Sequence, residues 1–347
     1  MSRPVPQTTL DPVGLLEEIA EIGGEAERGA WVKRRLQALG LAPKKDELGN
    51  VWVGEGSTLL IAHLDTVLMP QPLQREKERW YGPAVGDNSS GVAVLLALAP
   101  ELVAQGCVAA FSVGEEGLGN LRGARRLVRA LKPQKVIAVD GYLPGVVSRS
   151  VGSIRLRARF LGPGGHAWGD REAPSPMPAL GRALSEMYAL VGSSESSLNV
   201  GRVWGGEAIN AIPSEAGLEL DLRALEAPML EQLAQKVRQV LMEAARRYGV
   251  RLELEVLGER PAGSTATPAM LAAARRAYAE VGLEARFTAG STDASAAVEA
   301  GVPALTLSVY RGGGAHTPGE WVEPSSLRLG AQVLRFFIRY TGAGDGT

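Results

Sequence analysis

Residues 57–65 read STLLIAHLD, and this stretch decides the fold class. The apolar run from Ser57 to Ala62 predicts a strand that is buried on both faces. A histidine and an acid, His63 and Asp65, follow where the strand ends. In open α/β sheets, ligands bind beyond the carboxyl ends of the strands. The stretch therefore predicts a buried strand that carries polar chemistry to one edge of a sheet.

Further apolar runs alternate with helical patterns on both sides of this strand. Such alternation predicts an α/β fold with a mainly parallel sheet that is covered on both faces. The predicted strands are 108–113, 135–139, 285–288 and 304–309. The predicted helices are 12–22, 25–39, 89–102, 121–131, 268–281, 294–300 and 324–340.

The middle of the chain has a different pattern. Residues 153–161 (SIRLRARFL) alternate strictly between apolar and polar, which predicts a strand with one exposed face. A helix at 177–190, strands at 197–204 and 216–223, a helix at 228–248 and a strand at 251–256 follow. This β-α-β-β-α-β order is typical of a ferredoxin-like α+β domain. We therefore expect a domain at 151–260 inserted in an α/β domain made of 1–150 and 261–347.

The composition excludes several classes of protein. The chain of 347 residues is 45% hydrophobic and 22% charged, with a formal net charge of −1 and no basic tract, so neither nucleic acid nor an anionic membrane is an expected partner. The single cysteine, Cys107, lies in an apolar run and predicts a buried side chain without a disulfide. No apolar run reaches about 18 residues, so we expect no membrane span and a cytoplasmic protein.

Potential metal ligands follow each central strand. They are His63, Glu115-Glu116, Asp140 and His316, and Asp87 precedes a predicted helix. Taken alone, Asp87 is typical of a helix cap and each histidine of a structural hydrogen bond. Because all of them converge on one sheet edge, they predict a metal centre instead. Two histidines and several carboxylates suit zinc, and also cobalt or manganese, and they are enough to hold two ions.

Two acids near these ligands have other expected roles. Asp65 leaves an extended chain on the same side as His63, so its carboxylate is expected to orient the imidazole. In the Glu115-Glu116 pair, one carboxylate binds metal and the other is free to exchange protons with the attacking water.

The motifs resemble those of the dinuclear zinc exopeptidase and deacylase family, the M20-type metallopeptidases. This family contains glutamate carboxypeptidases, tripeptide aminopeptidases, succinyl-diaminopimelate desuccinylases and acetylornithine deacetylases. The similar segments, in order, are AHLDTV at 62–67, GDNSSGVA at 86–93, GEEGLGN at 114–120, VDG at 139–141, GPGGHAWG at 162–169, NAIPSEA at 210–216, DLRA at 221–224 and GGGAHTPGEWV at 312–322. The resemblance implies that the inserted domain is a lid through which two chains form a homodimer.

The resemblance also implies roles for individual residues. His63 and Asp140 would hold one ion, Glu116 and His316 the other, and Asp87 would bridge both, with Glu115 as general base and Asp65 as the residue that orients His63. His166 would reach the partner's active site and stabilise the oxyanion, while Asn210 and Arg223 would contact substrate. The Asp87–Asn88 peptide bond would be cis.

Departures from the family pattern favour a peptidase. Asn88-Ser89-Ser90-Gly91 replaces a segment in which many relatives have lysine or methionine, and Asp140 stands where several deacylases have glutamate. We therefore expect a two-metal hydrolase of small peptides, an exopeptidase or a di- or tripeptidase. The alternatives are an N-acyl-amino-acid deacylase and, more remotely, a metal-free binding protein. The chain lacks both a complete phosphate-binding loop and a G-x-S-x-G motif, which argues against a nucleotide-binding protein and a serine hydrolase.

Overall fold

The structure, a computed structural model, describes residues 10–190 and 194–342. These residues form two compact units, one made of 10–150 and 264–342, the other of 151–263 without 191–193. Each unit has its own buried apolar core. Within the described ranges, no helix is both long enough and apolar enough to cross a membrane.

The described residues contain nine α-helices. Two of them begin as their sequences predict, with a proline after a capping residue: the side chains of Asp11 and Thr267 accept hydrogen bonds from Val13 N and Met270 N. The helices are α1 (Pro12–Ile19), α2 (Glu25–Ala38), α3 (Ser89–Ala104), α4 (Arg122–Leu131), α5 (Pro176–Tyr188), α6 (Ala227–Arg247), α7 (Pro268–Ala279), α8 (Ala294–Glu299) and α9 (Ser326–Thr341).

The strands of the described residues form four sheets. In chain order they are β1 (Lys44–Lys45), β2 (Val51–Val53), β3 (Thr58–His63), β4 (Gln74–Glu76), β5 (Arg79–Tyr81), β6 (Cys107–Ser112), β7 (Lys135–Val139), β8 (Gly145–Ser150), β9 (Gly152–Leu161), β10 (Gly165–His166), β11 (Ser196–Gly205), β12 (Ala211–Ile212), β13 (Glu215–Ala224), β14 (Arg251–Arg260), β15 (Arg286–Gly290), β16 (Ala304–Leu307), β17 (Arg311–Gly313) and β18 (Trp321–Glu323).

The first unit contains the expected, mainly parallel sheet. Its order is β1-β2-β6-β3-β7-β16-β8-β15, and β3 runs parallel to both of its neighbours, β6 and β7. Alternate residues of β3 pack into different cores: Leu60 and Ala62 lie in the larger one, Leu59 and Ile61 in the smaller one. The sheet is therefore covered on both faces, which confirms the α/β prediction.

The second unit contains the expected ferredoxin-like arrangement. Its four-stranded sheet has the order β11-β13-β9-β14, with every neighbouring pair antiparallel. The chain order is β9-α5-β11-β13-α6-β14 when the two-residue strands are set aside. The alternation in β9 buries Leu156, Ala158 and Phe160 in the core of this unit.

Strands that lack an apolar run were missed by the sequence patterns. They include β8, whose sequence GVVSRS contains only two consecutive apolar residues, and the small sheet β17-β18-β5-β4. The predicted strand 251–256 was too short, because β14 continues to Arg260 after a register shift between Val256 and Gly258. Such a bulge interrupts the alternation on which the prediction depends.

Candidate metal centre

Seven predicted site residues lie at one edge of the large sheet, and Asp65 is one of them, two residues after the end of β3. β3 ends at His63, β6 ends three residues before Glu115-Glu116, and β7 ends one residue before Asp140. Because these strands are parallel neighbours, their carboxyl ends meet at the same edge. Asp87 and His316 reach this edge from loops, Asp87 from the segment before α3 and His316 from the one between β17 and β18.

Asp87 lies between the two histidines. Its Oδ1 is 3.1 Å from His63 Nε2, and its Oδ2 is 3.0 Å from His316 Nε2. His63 Nε2 is also 3.9 Å from Asp140 Oδ2, and His316 Nε2 is 2.9 Å from Glu116 Oε1. The ligand atoms of His63, Asp87 and Asp140 lie within 4.8 Å of one another, and so do those of Asp87, Glu116 and His316. Asp87 therefore belongs to two groups of three potential ligands.

Glu115 belongs to a third such group, together with His63 and Glu116. It is only 4% exposed, which is unusual for an ionisable side chain at a strand end. A buried carboxylate beside a ligand cluster is well placed to exchange a proton with a group held there.

The charges in the cluster suit bound cations. Burial and the charge of Asp87 raise the pKa of Asp140 well above its usual value. Burial also acts to raise the pKa of Asp87, but its hydrogen bonds with His316 and His63 outweigh this effect and lower it. The hydrogen bond with Asp87 raises the pKa of His316 to about 9. Imidazole nitrogens and carboxylate oxygens are the donors that zinc prefers, and cations would relieve the repulsion among the acids.

Asp65 orients a different group from the one expected. Its backbone carbonyl, at 3.0 Å, is the closer partner of His63 Nδ1, while its carboxylate oxygen Oδ1 is 3.7 Å away, too far for a hydrogen bond. The carboxylate instead accepts hydrogen bonds from the backbone N–H groups of Glu115, at 2.9 Å, and Glu116, at 2.7 Å. Asp65 thus fixes the loop that carries both glutamates.

Glu320 fixes the segment that carries Asp87. This buried carboxylate accepts hydrogen bonds from the backbone N–H groups of Ala84 at 2.8 Å, Gly86 at 2.9 Å and Asp87 at 2.7 Å. A Cβ at Gly86 would lie 2.6 Å from Glu320 Oε1, so only glycine fits there. The Asp87–Asn88 peptide bond is cis, which confirms the prediction. The sequence patterns gave Glu320 no role, although it lies four residues after His316.

Tyr142 contacts the loop that carries His316. Its hydroxyl oxygen accepts a hydrogen bond from Ala315 N at 2.9 Å, and its ring packs edge-on against the buried ring of Tyr310. His316 itself has a φ of 66°, in the left-handed region that non-glycine residues seldom adopt. The sequence patterns gave Tyr142 no role either.

The other three predicted site residues belong to the second unit. His166 lies on β10, which pairs with β12, and Asn210 directly precedes β12. The imidazole Nδ1 of His166 accepts hydrogen bonds from the N–H groups of Trp168 and Gly169, both at 3.2 Å. Arg223 lies on β13, where its Nε donates to Asp221 Oδ2 at 2.6 Å.

Several curated proteins have sequences similar to this chain, among them the following three. The chain is 25% identical over 335 residues to the uncharacterized protein YqjE of Bacillus subtilis (strain 168), covering 85% of this chain and 90% of that protein. It is 26% identical over 366 residues to carboxypeptidase G2 of Pseudomonas sp. (strain RS-16), covering 92% and 85%. It is 28% identical over 162 residues to N-acetylcysteine deacetylase of Bacillus subtilis (strain 168), covering 44% and 42%.

Solved structures share the fold at low sequence identity. A tripeptidase from Staphylococcus aureus superposes with a TM-score of 0.81 at 21% identity, covering 96% of this chain and 98% of that chain. The YxeP protein of Bacillus subtilis, described as a dinuclear metal binding peptidase from the M20 family, superposes with a TM-score of 0.68 at 16% identity, covering 95% of this chain and 97% of that chain.

A sequence model of the peptidase family M20/M25/M40 matches residues 59–340. This match spans most of the chain, including all five segments that form the cluster, and the chain therefore belongs to that family of hydrolytic enzymes.

Proposed function

We propose that this enzyme is a two-metal hydrolase that cleaves peptide bonds of small peptides. One observation carries the proposal: two groups of three potential ligands share Asp87, and each histidine lies near a different oxygen of its carboxylate. In this assignment His63 and Asp140 hold one ion, Glu116 and His316 hold the other, and Asp87 bridges them. The YxeP structure, described as a dinuclear metal binding peptidase, supports a pair of ions.

The ions would be zinc, with cobalt or manganese as alternatives, because the donors are imidazole and carboxylate groups. When bound, such a pair supplies Lewis acidity and lowers the pKa of water toward neutrality. Glu115 then takes a proton from the attacking water and later delivers it to the leaving nitrogen. Asp65 keeps Glu115 and Glu116 in place through their backbone N–H groups.

Residues of the second unit would bind the substrate. Because Nδ1 of His166 accepts two backbone hydrogen bonds, its proton is expected on Nε2, where it is free to be donated to a developing oxyanion. Arg223 pairs with Asp221 through Nε, and its side chain is 43% exposed, so its remaining nitrogens suit a substrate carboxylate. We assign Asn210 to substrate binding as well. A homodimer formed through this unit, and a cytoplasmic location, stay predictions.

The experiment is hydrolysis of a library of dipeptides, tripeptides and N-acyl amino acids. Zinc, cobalt or manganese is added in separate series, with a chelator as control. Metal-dependent cleavage of peptides supports the proposal. If all library members remain intact while the protein binds no metal, the two-metal assignment is wrong.

The Glu115→Gln variant tests whether Glu115 is the general base rather than a metal ligand. We expect it to retain the wild-type metal content and to lose at least about 10²-fold in kcat, because the amide cannot take a proton. Glu116→Gln is the matched variant, and we expect it to lose metal. Elemental analysis and steady-state kinetics check both. If Glu115→Gln loses metal and Glu116→Gln does not, then Glu116 is the general base and Glu115 the metal ligand.

The second candidate is an N-acyl-amino-acid deacylase. The similarity to N-acetylcysteine deacetylase favours it, although that alignment covers only 44% of this chain. Both reactions cleave an amide, and an arginine that binds a carboxylate serves either one. Preferential turnover of acetyl- or succinyl-amino acids in the library would select this candidate over the peptidase.

A further inference from the structure

Arg28 is a buried cation of α2 whose charge is attracted by carboxylates of the metal centre. It is 1% exposed and is the largest of the fully buried side chains. Its Nη2 donates to Ser89 Oγ at 2.5 Å, while Nε and Nη1 have no hydrogen-bond partner among the described residues. Burying a charge without a paired counter-ion is costly, so a compensating field is required.

The carboxylates of the centre supply that field. Burial lowers the pKa of Arg28 to about 10, and attraction to Asp65, Asp87 and Glu320 opposes this shift. The guanidinium therefore stays charged at neutral pH. These acids lie in or beside the cluster, so the charge of Arg28 acts on the cluster that binds metal.

Arg28 also contacts the segment that carries Asp87. Ser89, which accepts its hydrogen bond, donates in turn to Ala84 O at 2.5 Å. Glu25, one turn earlier on α2, accepts from Gly114 N at 2.6 Å, directly before Glu115. Residues three apart share one face of a helix. This face of α2 therefore supports both the Asp87 segment and the glutamate loop.

We propose that Arg28 is a positioning residue that serves as a built-in counter-charge for the metal-free centre. It stabilises the clustered carboxylates before ions bind, and it repels those ions once they are present. The inference rests on the proposed function. A counter-charge has a consequence that a purely structural role lacks. Removing the charge of Arg28 lowers the stability of the metal-free protein but strengthens metal binding.

The test is the zinc dissociation constant, measured by competition with a chelator in the full chain. Arg28→Gln removes the charge but keeps a donor for Ser89, and we expect its dissociation constant to fall at least about threefold, because a like charge has been removed. Arg28→Lys keeps the charge and should stay near wild type. Arg34→Met, at an exposed position of α2, is the matched control and should not change the constant.

Thermal unfolding with and without zinc provides a second, independent measurement. Arg28→Gln should lower the Tm of the metal-free protein and enlarge the increase that zinc produces. A variant that folds only with zinc would also support the proposal, because bound zinc would then replace the missing counter-charge among the carboxylates. Unchanged or weaker zinc binding in Arg28→Gln would overturn it. If wild-type protein itself binds no zinc, cobalt or manganese, the two-metal function fails first and this inference fails with it.

Discussion

Asp65 shows that local spacing can predict which residues are neighbours without predicting which contact is the closest. The two-residue spacing from His63 predicts that its carboxylate orients the imidazole, yet the backbone carbonyl is the closer partner, at 3.0 Å. The carboxylate turns instead to the N–H groups of Glu115 and Glu116. Local spacing predicts which side of a strand a side chain leaves from, but a loop that arrives from elsewhere in the fold can change its partner.

Asp65→Asn tests this contact. The amide has one oxygen, so it can satisfy one of the two N–H groups and turns a donor toward the other. We expect kcat/KM to fall about 10- to 100-fold, in the range of changes around metal ligands, while the metal content stays at the wild-type level. Unchanged kcat/KM, measured alongside Asp11→Asn as a control at the N-terminus of α1, would argue that Asp65 does not position the glutamate loop.

Buried charges are the residues that sequence patterns find least well. Arg28 and Glu320 are 1% exposed, whereas arginine and glutamate usually lie at the surface. Helical periodicity correctly predicted α2 but could not show that one of its arginines is enclosed. The potential metal ligands were recognised because histidines and acids directly after apolar strands form a characteristic pattern.

Elements with a long apolar run or strict alternation were predicted well. β7 was predicted with its observed bounds, 135–139, and α3 was predicted from its observed first residue, 89. β4 (QRE) and β5 (RWY), which pair with each other, were missed because each has only three residues and no apolar run, and because β5 joins its sheet by pairing with the distant β18. Sheet pairing of short polar segments is a property of tertiary structure, which local composition cannot show.

The half-buried positions of β9 carry a network of ion pairs across the sheet of the second unit. Arg157 contacts Glu219 on β13 and Glu255 on β14, both at 2.7 Å. Arg159 contacts Glu215 at 2.5 Å and Glu253 at 3.0 Å. The arginines of β9 thus link acidic residues on both neighbouring strands. Networks of this kind contribute more to stability at high temperature than isolated ion pairs do.

Arg157→Met tests the network. We expect a lower Tm at low ionic strength and a smaller difference from wild type in about 1 M salt, because salt screens exposed charges. Lys236→Met, on the exposed side of α6, removes a cation that forms no ion pair among the described residues and serves as control. Equal changes of Tm in the two variants at both salt concentrations would contradict a role for the network.

For the whole molecule, the sequence predicts an inserted domain with boundaries near 150 and 260. The compact units of the structure change at 150/151 and 263/264. We propose that these units are the domains of the folded protein. Limited proteolysis should then cut first near these junctions. Early cuts inside β9 or β13 would contradict the proposal, because both are inner strands of the four-stranded sheet of the second unit.

The central claim is that two ions share Asp87, and metal content measures it most directly. After equilibrium dialysis against zinc, we expect about two ions per wild-type chain. His63→Ala and His316→Ala should each retain about one ion, since each histidine belongs to only one of the two groups that share Asp87, while Asp87→Ala should lose both. Wild-type protein that binds no ion, or an Asp87→Ala variant with the full wild-type content, would contradict the account.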